Sequence, residues 1–308
     1  MKKKLYLFLV FIIFIAIFFF PSFCGDGVRL GINILLYSLL PAILPFILFS
    51  NVMIQSNLSK TAGSLVHPLF HKLFKTSANG SYALLMGFLC GYPLGAKIIN
   101  DLLFEKKISH EEGVYLYKFI NNPSPAFIQG YVMTSVCAPK QFRIPALILT
   151  YFPAILTGFV LCRKQTAFPD ITNNTNETSF PLSKIIDDSI FDACATTIRL
   201  GGYLIIFCIF STLITHISGL SAPLKCTITC MLEITSGIYY ISKTTLPAIL
   251  KLFFSILCSI GGGFSILFQI NSVSAKSGLS IFDCIKYKLI CMLICTILFF
   301  LYIGIVGI

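Results

Sequence analysis

The sequence has 308 residues, 56% of them hydrophobic and 11% charged, with a mean hydropathy of +0.87. A soluble domain carries about 25% charged residues, so a single water-facing fold is excluded. The net charge of +11 would suggest nucleic acid on a soluble chain, but the basic residues lie between apolar runs, as Lys and Arg do in cytoplasmic loops; Lys2, Lys3, Lys4, Lys72, Lys75, Lys106, Lys107, Arg163, Lys164, Lys286 and Lys288 fit that pattern, and nucleic acid is excluded too.

Residues 5–20 follow three lysines and read as a retained first helix with a cytoplasmic N-terminus. There is no A-x-A cleavage site, and Phe23 stands where a lipobox needs a small residue. Residues 28–54 are a second apolar stretch, kinked or split by Pro41 and Pro45. Residues 55–80 are more polar, with an amphipathic piece at 65–74 suited to the membrane interface. Next comes "FLCGYPLGAKIIN" (88–100), where Gly91, Pro93 and Gly95 break an apolar helix and Lys97 follows the break. A charged connector ends in "SHEE" (109–112), a capping box that starts a helix. That helix meets "NNPSP" (121–125), apolar sequence resumes at Ala126, and 144–161 is a plain span.

Residues 163–184 form a hydrophilic linker, "PDITNNTNETSFP" at its centre, with no hydrophobic periodicity. It separates a first half, 1–162, from a second, 185–308. The second half reads as an amphipathic lead (185–197), a span after Arg199 (201–214), the stretch "CMLEITSGIYY" (230–240), an apolar stretch at 246–271 and a last span at 289–308. The fold class is therefore an all-α polytopic membrane protein of about eight membrane-embedded segments.

The two halves look distantly alike. Residues 44–54 match 201–214 as opening spans. Residues 86–109 match 258–280 in shape: apolar, glycine-rich, apolar again with one polar residue (Lys97 or Gln269), then Asn and a polar stretch ending in Ser. Two related halves with broken or re-entrant helices are the pattern of secondary transporters, whose sites lie where interrupted helices meet near the midplane. Such a break exposes backbone N–H and C=O groups that only protein or a watery cavity can satisfy.

Candidate binding residues follow from the breaks. Lys97 is either a snorkelling lysine or a cation for an anion at a helix N-terminus. Pro123 and Pro125 remove backbone donors, while Asn121, Asn122 and Ser124 supply side-chain groups there. Arg199 is an interface anchor or a bidentate grip on a carboxylate. Glu233 lies in an uncharged stretch, where an acid costs roughly 2.5–3.5 kcal/mol and needs a partner or a role. Pairing with Lys97 or Arg199, cation coupling and proton transfer all stay open for it. The twelve cysteines and four histidines show no metal-ligand spacing, so cysteine serves as a small hydrophobe and no metal or cofactor is implied. No HExxH, GxSxG, paired intramembrane aspartates or nucleotide loop is present, so no enzyme is expected.

At "GYPLGAK…NNPSPAFIQG" the sequence resembles the YlbJ-type sporulation integral membrane proteins, within the wider nucleoside-recognition or gate-domain group. The motifs are G-Y-P-L-G-A-K (91–97), the Asn-rich break with P-A-F-I (125–128), L-E-I-T-S-G (232–237) and the glycine-rich stretch leading to Gln269. The double proline "PSP" departs from the expected pattern and puts the geometry of that break in question. The resemblance implies a cell-membrane protein made late in sporulation, in the membrane around the forespore, that moves dipicolinate or a similar small dicarboxylate from the mother cell. By motif it implies roles for Gly91, Pro93, Gly95, Lys97, Asn121, Asn122, Pro125, Glu233 and Gly237. A nucleoside-type carrier and a non-transporting assembly factor for spore maturation are the alternatives, and a homo-oligomer or a forespore-membrane partner stays open.

Overall fold

In a computed structural model, which describes residues 11, 14, 15, 17–171 and 181–306, the chain is helical, with no strand among the described residues. The first helix expected at 5–20 and the centre of the linker lie largely outside them. Five helices are long and apolar enough to cross a membrane: α1 (Pro21–Gln55), α7 (Lys140–Cys162), α8 (Leu182–His216), the stretch Ala248–Ser277, and Ile281–Ile305. The chain is thus an integral, multi-pass membrane protein. The remaining apolar sequence, expected to bring the embedded segments to about eight, forms shorter pieces, among them Ala78–Cys90 and Ala222–Leu232. Large apolar side chains such as Leu65, Phe104, Phe191 and Ile305 face outward, which suits lipid and would be an aggregation hazard in water.

α1 does not split at its prolines. Leu35–Leu39 widens into a π-helical turn just before Pro41, a local adjustment where the proline cannot donate. The amphipathic lead and the span expected in the second half are likewise one helix, α8, of 35 residues. At 1.5 Å per residue it is about 50 Å long, well beyond a 30 Å hydrocarbon core. α1 and α8 run antiparallel along most of that length. Phe23 stacks on His216 (4.0 Å), Gly27 and Gly31 lie against Ile209 and Ile205, and Asn51 bonds Asp192.

Two ends of the bundle follow from the contacts. At the near end lie the end of α1, the interfacial helix α2 (Leu58–Phe74), the start of α3 (Ala78–Cys90), the end of α4 (Leu94–Phe104), the start of α5 (His110–Tyr117) and the end of α7. α2 lies across this end, its Ser59, Gly63 and His67 meeting Asn79, Ala78 and Ser81. α3 and α4 form a helical hairpin: Asn79 Nδ2 donates to the Lys107 carbonyl (3.2 Å), so both arms open at the same end of the bundle. α5 leads inward to the NNPSP break, and the helical turns α6 (127–135) continue to the far end, where Gln129 Nε2 donates to the Arg143 carbonyl (2.8 Å).

The second half enters from the other side. α8 ends at the far end beside α1's start. α9 (Ala222–Leu232) and α10 (Ile234–Ser242) fold back on each other at Glu233, so closely that a Cβ on Gly237 would sit 2.6 Å from the Cys230 Cα. α11 (Ala248–Gly261) and α12 (Gly263–Ser274) then run to the near end, interrupted at Gly262, and Ser277 Oγ donates to Asn100 Oδ1 there (2.9 Å). α13 (Ile281–Val306) returns to the far end, where Phe299 stacks on Phe253 (4.0 Å).

The near-end connector is tied down by two acids outside the membrane-spanning helices, Glu112 buried and Asp170 exposed. Ser109 caps α5 as its motif predicts, accepting from Glu112 N (3.1 Å). Glu112's own carboxylate reaches across instead, accepting from Ser77 N (2.8 Å) and Ser77 Oγ (2.9 Å) at the start of α3. Asp170 accepts from Ala78 N (2.8 Å) in the same place. Gly80 is needed there because a Cβ would meet Glu112 Oε1 at 2.0 Å. Burial pushes the Glu112 carboxyl up to about 7, with a small push from Asp170, against the lowering by Ser77's donors. The folded state therefore keeps a proton that the unfolded chain, titrating near 4.5, has already lost. Stability from this group is full below pH 4.5 and falls as pH rises to about 7, by roughly 3 kcal/mol. We expect the melting temperature of the detergent-solubilised protein to fall between pH 5 and 8, and Glu112→Gln to flatten most of that slope.

Candidate functional site

Four helix interruptions meet inside the bundle. The first is the tip of the α3–α4 hairpin. Gly91 has φ +79°, a region open to glycine at no cost. A Cβ there would lie 2.5 Å from Ser124 N, so the tip is pressed against the second interruption, NNPSP. Tyr92 N donates to the Asn122 carbonyl across that contact (2.8 Å). Gly87 and Gly95 let the two arms touch, each standing 3.4 Å from the position of the other's Cβ, with Ile120 filling the space above. Pro93 caps α4. The glycine, proline and asparagine residues singled out in the sequence thus come together.

Within NNPSP the side chains serve the break's own backbone. Asn122 Nδ2 donates to the Phe119 carbonyl (2.6 Å), and Ser124 Oγ accepts from Phe127 N (3.1 Å). Asn121 Nδ2 donates to the Tyr117 carbonyl (3.2 Å), leaving its Oδ1 buried without a partner.

The other two interruptions belong to the second half. Glu233, 2% exposed, is extended between α9 and α10 and caps the latter. Its carboxylate accepts from Thr235 N (3.0 Å), Ser236 N (2.7 Å) and the Thr235 hydroxyl. Its charge is met by a helix N-terminus rather than by Lys97 or Arg199, the partners considered from sequence. Gly262 and Gly263 both have positive φ, and a Cβ on Gly263 would sit 3.1 Å from the carbonyls of Cys230 and Met231. The fourth interruption is thus seated on the third.

Lys288 joins these pieces. It rises from α13, 7% exposed, and its Nζ donates to the carbonyls of Asn121 (2.8 Å) and Ile260 (2.9 Å), one from each half. The ammonium also stands 4.9 Å from the centre of the Tyr92 ring, whose hydroxyl donates to the Ser259 carbonyl (3.0 Å). Among the described residues no carboxylate lies within ion-pair distance of it. An ammonium has three donors, and two are spent on carbonyls. Sequence reading placed Lys288 with the loop lysines; the structure corrects this. One signal would have found it: Cys284, Lys288, Cys291 and Cys295 share the buried face of α13 at helical spacing.

Lys97 has a different setting. It is 5% exposed on α4, and its Nζ donates to Asp101 Oδ2 (2.6 Å), Asp192 Oδ2 (2.8 Å) and Asn51 Oδ1 (2.9 Å). All three donors are used, so Lys97 does not present a free cation at the break. Arg199 is exposed on α8, within electrostatic reach of Asp192. Gln269 is fully buried on α12; its Nε2 donates to Ser265 Oγ (3.2 Å) while its Oε1 is unpartnered. A separate cavity of about 420 Å³ opens at the near end, lined by Asn100, Lys106, His110, Lys276 and Ser277 together with apolar side chains.

Comparison with known proteins agrees with the resemblance carried by the motifs. The chain is similar to the sporulation integral membrane protein YlbJ of Bacillus subtilis (strain 168), 24% identical over 293 residues that cover 83% of this chain and 72% of that protein. No family model matches the chain. No solved structure matches it.

The close approach at Gly91 can be tested directly. Gly91→Ala forces a left-handed alanine and a clash with backbone, at about 2–4 kcal/mol. Gly130→Ala, where a Cβ meets nothing within 4 Å, is the control. We expect thermal melting in detergent to drop for the first and to stay level or rise for the second.

Proposed function

We propose that this chain is a secondary transporter or facilitator of a small anionic metabolite, and that its site is the meeting of the four interruptions around Lys288. The observation that carries this is a buried ammonium that, among the described residues, has no carboxylate within ion-pair distance and is held by one carbonyl from each half and the face of the Tyr92 ring. A carboxylate arriving there exchanges neutral acceptors for a charged one, which makes stronger, charge-assisted bonds. The substrate best suited to a late-sporulation membrane protein of this kind is dipicolinate, moved from the mother cell toward the forespore; the similarity to a sporulation membrane protein supports that setting. More basic residues lie at the near end, among them Lys72, Lys75, Lys106, Lys107, Arg163 and Lys164, so we assign it to the cytoplasm.

The order of elements supports a duplicated unit. Each half has a long opening helix, a re-entrant hairpin, an interrupted helix and a closing helix, and the two sets run in opposite directions. We read them as inverted-topology copies. In that reading 78–104 pairs with 222–242 and 110–135 with 248–274, in place of the match of 86–109 with 258–280 drawn from sequence.

A second reading has its own observation. The unpartnered Asn121 Oδ1, Ser236 Oγ and Gln269 Oε1 are neutral hydrogen-bonding groups of the kind a nucleoside carrier uses. Flux measurements on liposomes bearing the purified protein separate the two. We expect saturable dipicolinate uptake, reduced at least about tenfold by Lys288→Met, the factor set by 1.4 kcal/mol of lost charge-assisted bonding. Size-exclusion and melting profiles establish that the variant is folded. Uptake of uridine with no response to dipicolinate favours the nucleoside carrier, and no uptake of either supports an assembly role.

A further inference from the structure

The near-end cavity of about 420 Å³ lies apart from the meeting of the interruptions, and both halves build it. From the first half, the end of α4 brings Asn100 and Phe104, the turn after it Lys106, and the start of α5 His110. From the second, the turn after α12 (Ala275–Ser277) brings Lys276 and Ser277. Ser277 Oγ donates to Asn100 Oδ1 across this join (2.9 Å), and a Cβ on Gly278 would stand 3.9 Å from His110 Nε2. The described residues that line the cavity include two ammoniums and an imidazole and no carboxylate. Lysines at one membrane end follow from topology, but topology does not bring lysines from opposite halves to one cavity. Lys106 also stands where turn geometry favours another residue. With φ +54°, it closes α4: Lys106 N donates to the Leu103 carbonyl (3.1 Å) and Lys107 N to that of Leu102 (2.8 Å). Glycine usually fills this left-handed position of a helix end, because a Cβ is strained there.

We propose that this cavity binds a phosphate group, supplied by the headgroup of an anionic phospholipid in the surrounding leaflet. Its size is within the range of about 300–1,000 Å³ usual for ligand pockets. A soluble phosphate ester offers the same charge, and the apolar wall decides for lipid. Phe104 lines the cavity and is 76% exposed, so its ring joins the cavity to the apolar outer surface. Leu65 and Leu69 of α2, 83% and 58% exposed, place this end at the height of the membrane interface. A headgroup enters from that side while its acyl chains stay in the bilayer along Phe104. The phosphate meets Lys106 and Lys276, whose ammoniums act as point charges, and the glycerol hydroxyls face Asn100 and Ser277. Basic pockets between membrane helices at the cytoplasmic side take headgroups in this way. Once bound, the lipid bridges the α4–α5 connector and the turn after α12, where the protein itself supplies the Ser277–Asn100 bond. The site stands whether or not the chain carries a solute.

Amide hydrogen exchange of the detergent-solubilised protein tests this. Phosphatidylglycerol added to the micelles should slow exchange at 103–110 and 275–278 saturably, by about threefold or more, and phosphatidylcholine should not. The lipid concentration that gives half of this protection should rise about fivefold in Lys276→Gln and again in Lys106→Gly, the share of one lysine beside an anionic headgroup. Lys72→Gln, which removes an exposed near-end lysine outside the cavity, should leave it unchanged. Glycine suits the left-handed turn, so Lys106→Gly should melt no lower than the parent without lipid, which separates a lost headgroup from a lost fold. Glycerol 3-phosphate that protects as well as the lipid keeps the phosphate site and overturns the lipid as its source. Equal protection by phosphatidylcholine, a half-protection point that moves in neither cavity variant, or one that moves as far in Lys72→Gln overturns the proposal.

Discussion

Inside a bilayer every backbone N–H and C=O must find a partner within the protein, and each unpaired group costs several kcal/mol. Four helix interruptions in one bundle multiply that demand. This chain meets it by bringing the interruptions together, so that each supplies what another lacks. Tyr92 N takes the Asn122 carbonyl, the Tyr92 hydroxyl takes that of Ser259, and Lys288 takes those of Asn121 and Ile260. Glu233 turns its carboxylate onto the freed N–H groups at the start of α10. The rest of the arrangement follows. Glycines stand at 91, 237 and 263 because backbone meets backbone at those points, and the long α1–α8 pair frames the two hairpins.

The two buried lysines divide the work of charge. Lys97 has two carboxylates and holds a hairpin arm to the frame; Lys288 has two backbone carbonyls and the face of the Tyr92 ring, and stands where both halves meet. In the proposed reading a bound anion gains most at the second, where among the described residues no acid lies within ion-pair distance of the ammonium. One hairpin reaches both lysines, with Lys97 on its arm and Tyr92 at its tip.

Much of this was legible in the sequence. Hydropathy alone establishes a helical membrane protein, and residues 91–97 and 121–125 mark their breaks because glycine and proline disrupt helices wherever they stand. Ser109 reads as a cap from its local pattern, and Glu233 is conspicuous because it interrupts an uncharged run. The remainder depends on contacts far apart in the chain. Asp192 lies 95 positions beyond Lys97 by residue number, so the sequence left Lys97 looking free. Lys288 sits close to Lys286 and resembles a topology charge, while only its helical face shows that it points inward. The capping-box motif foretells Ser109 but not that Glu112 leaves its own helix to serve Ser77. Pro41 and Pro45 suggest a split that a π-helical turn absorbs.

The central claim is that an anion binds where the interruptions converge. An electron cryo-microscopy structure of the protein with dipicolinate tests it most directly. The account predicts a carboxylate within ion-pair distance of Lys288 Nζ, between the Tyr92 tip and the Gly262 break. Density for the ligand in the near-end cavity or against Lys97, with Lys288 still held by the Asn121 and Ile260 carbonyls, would contradict it.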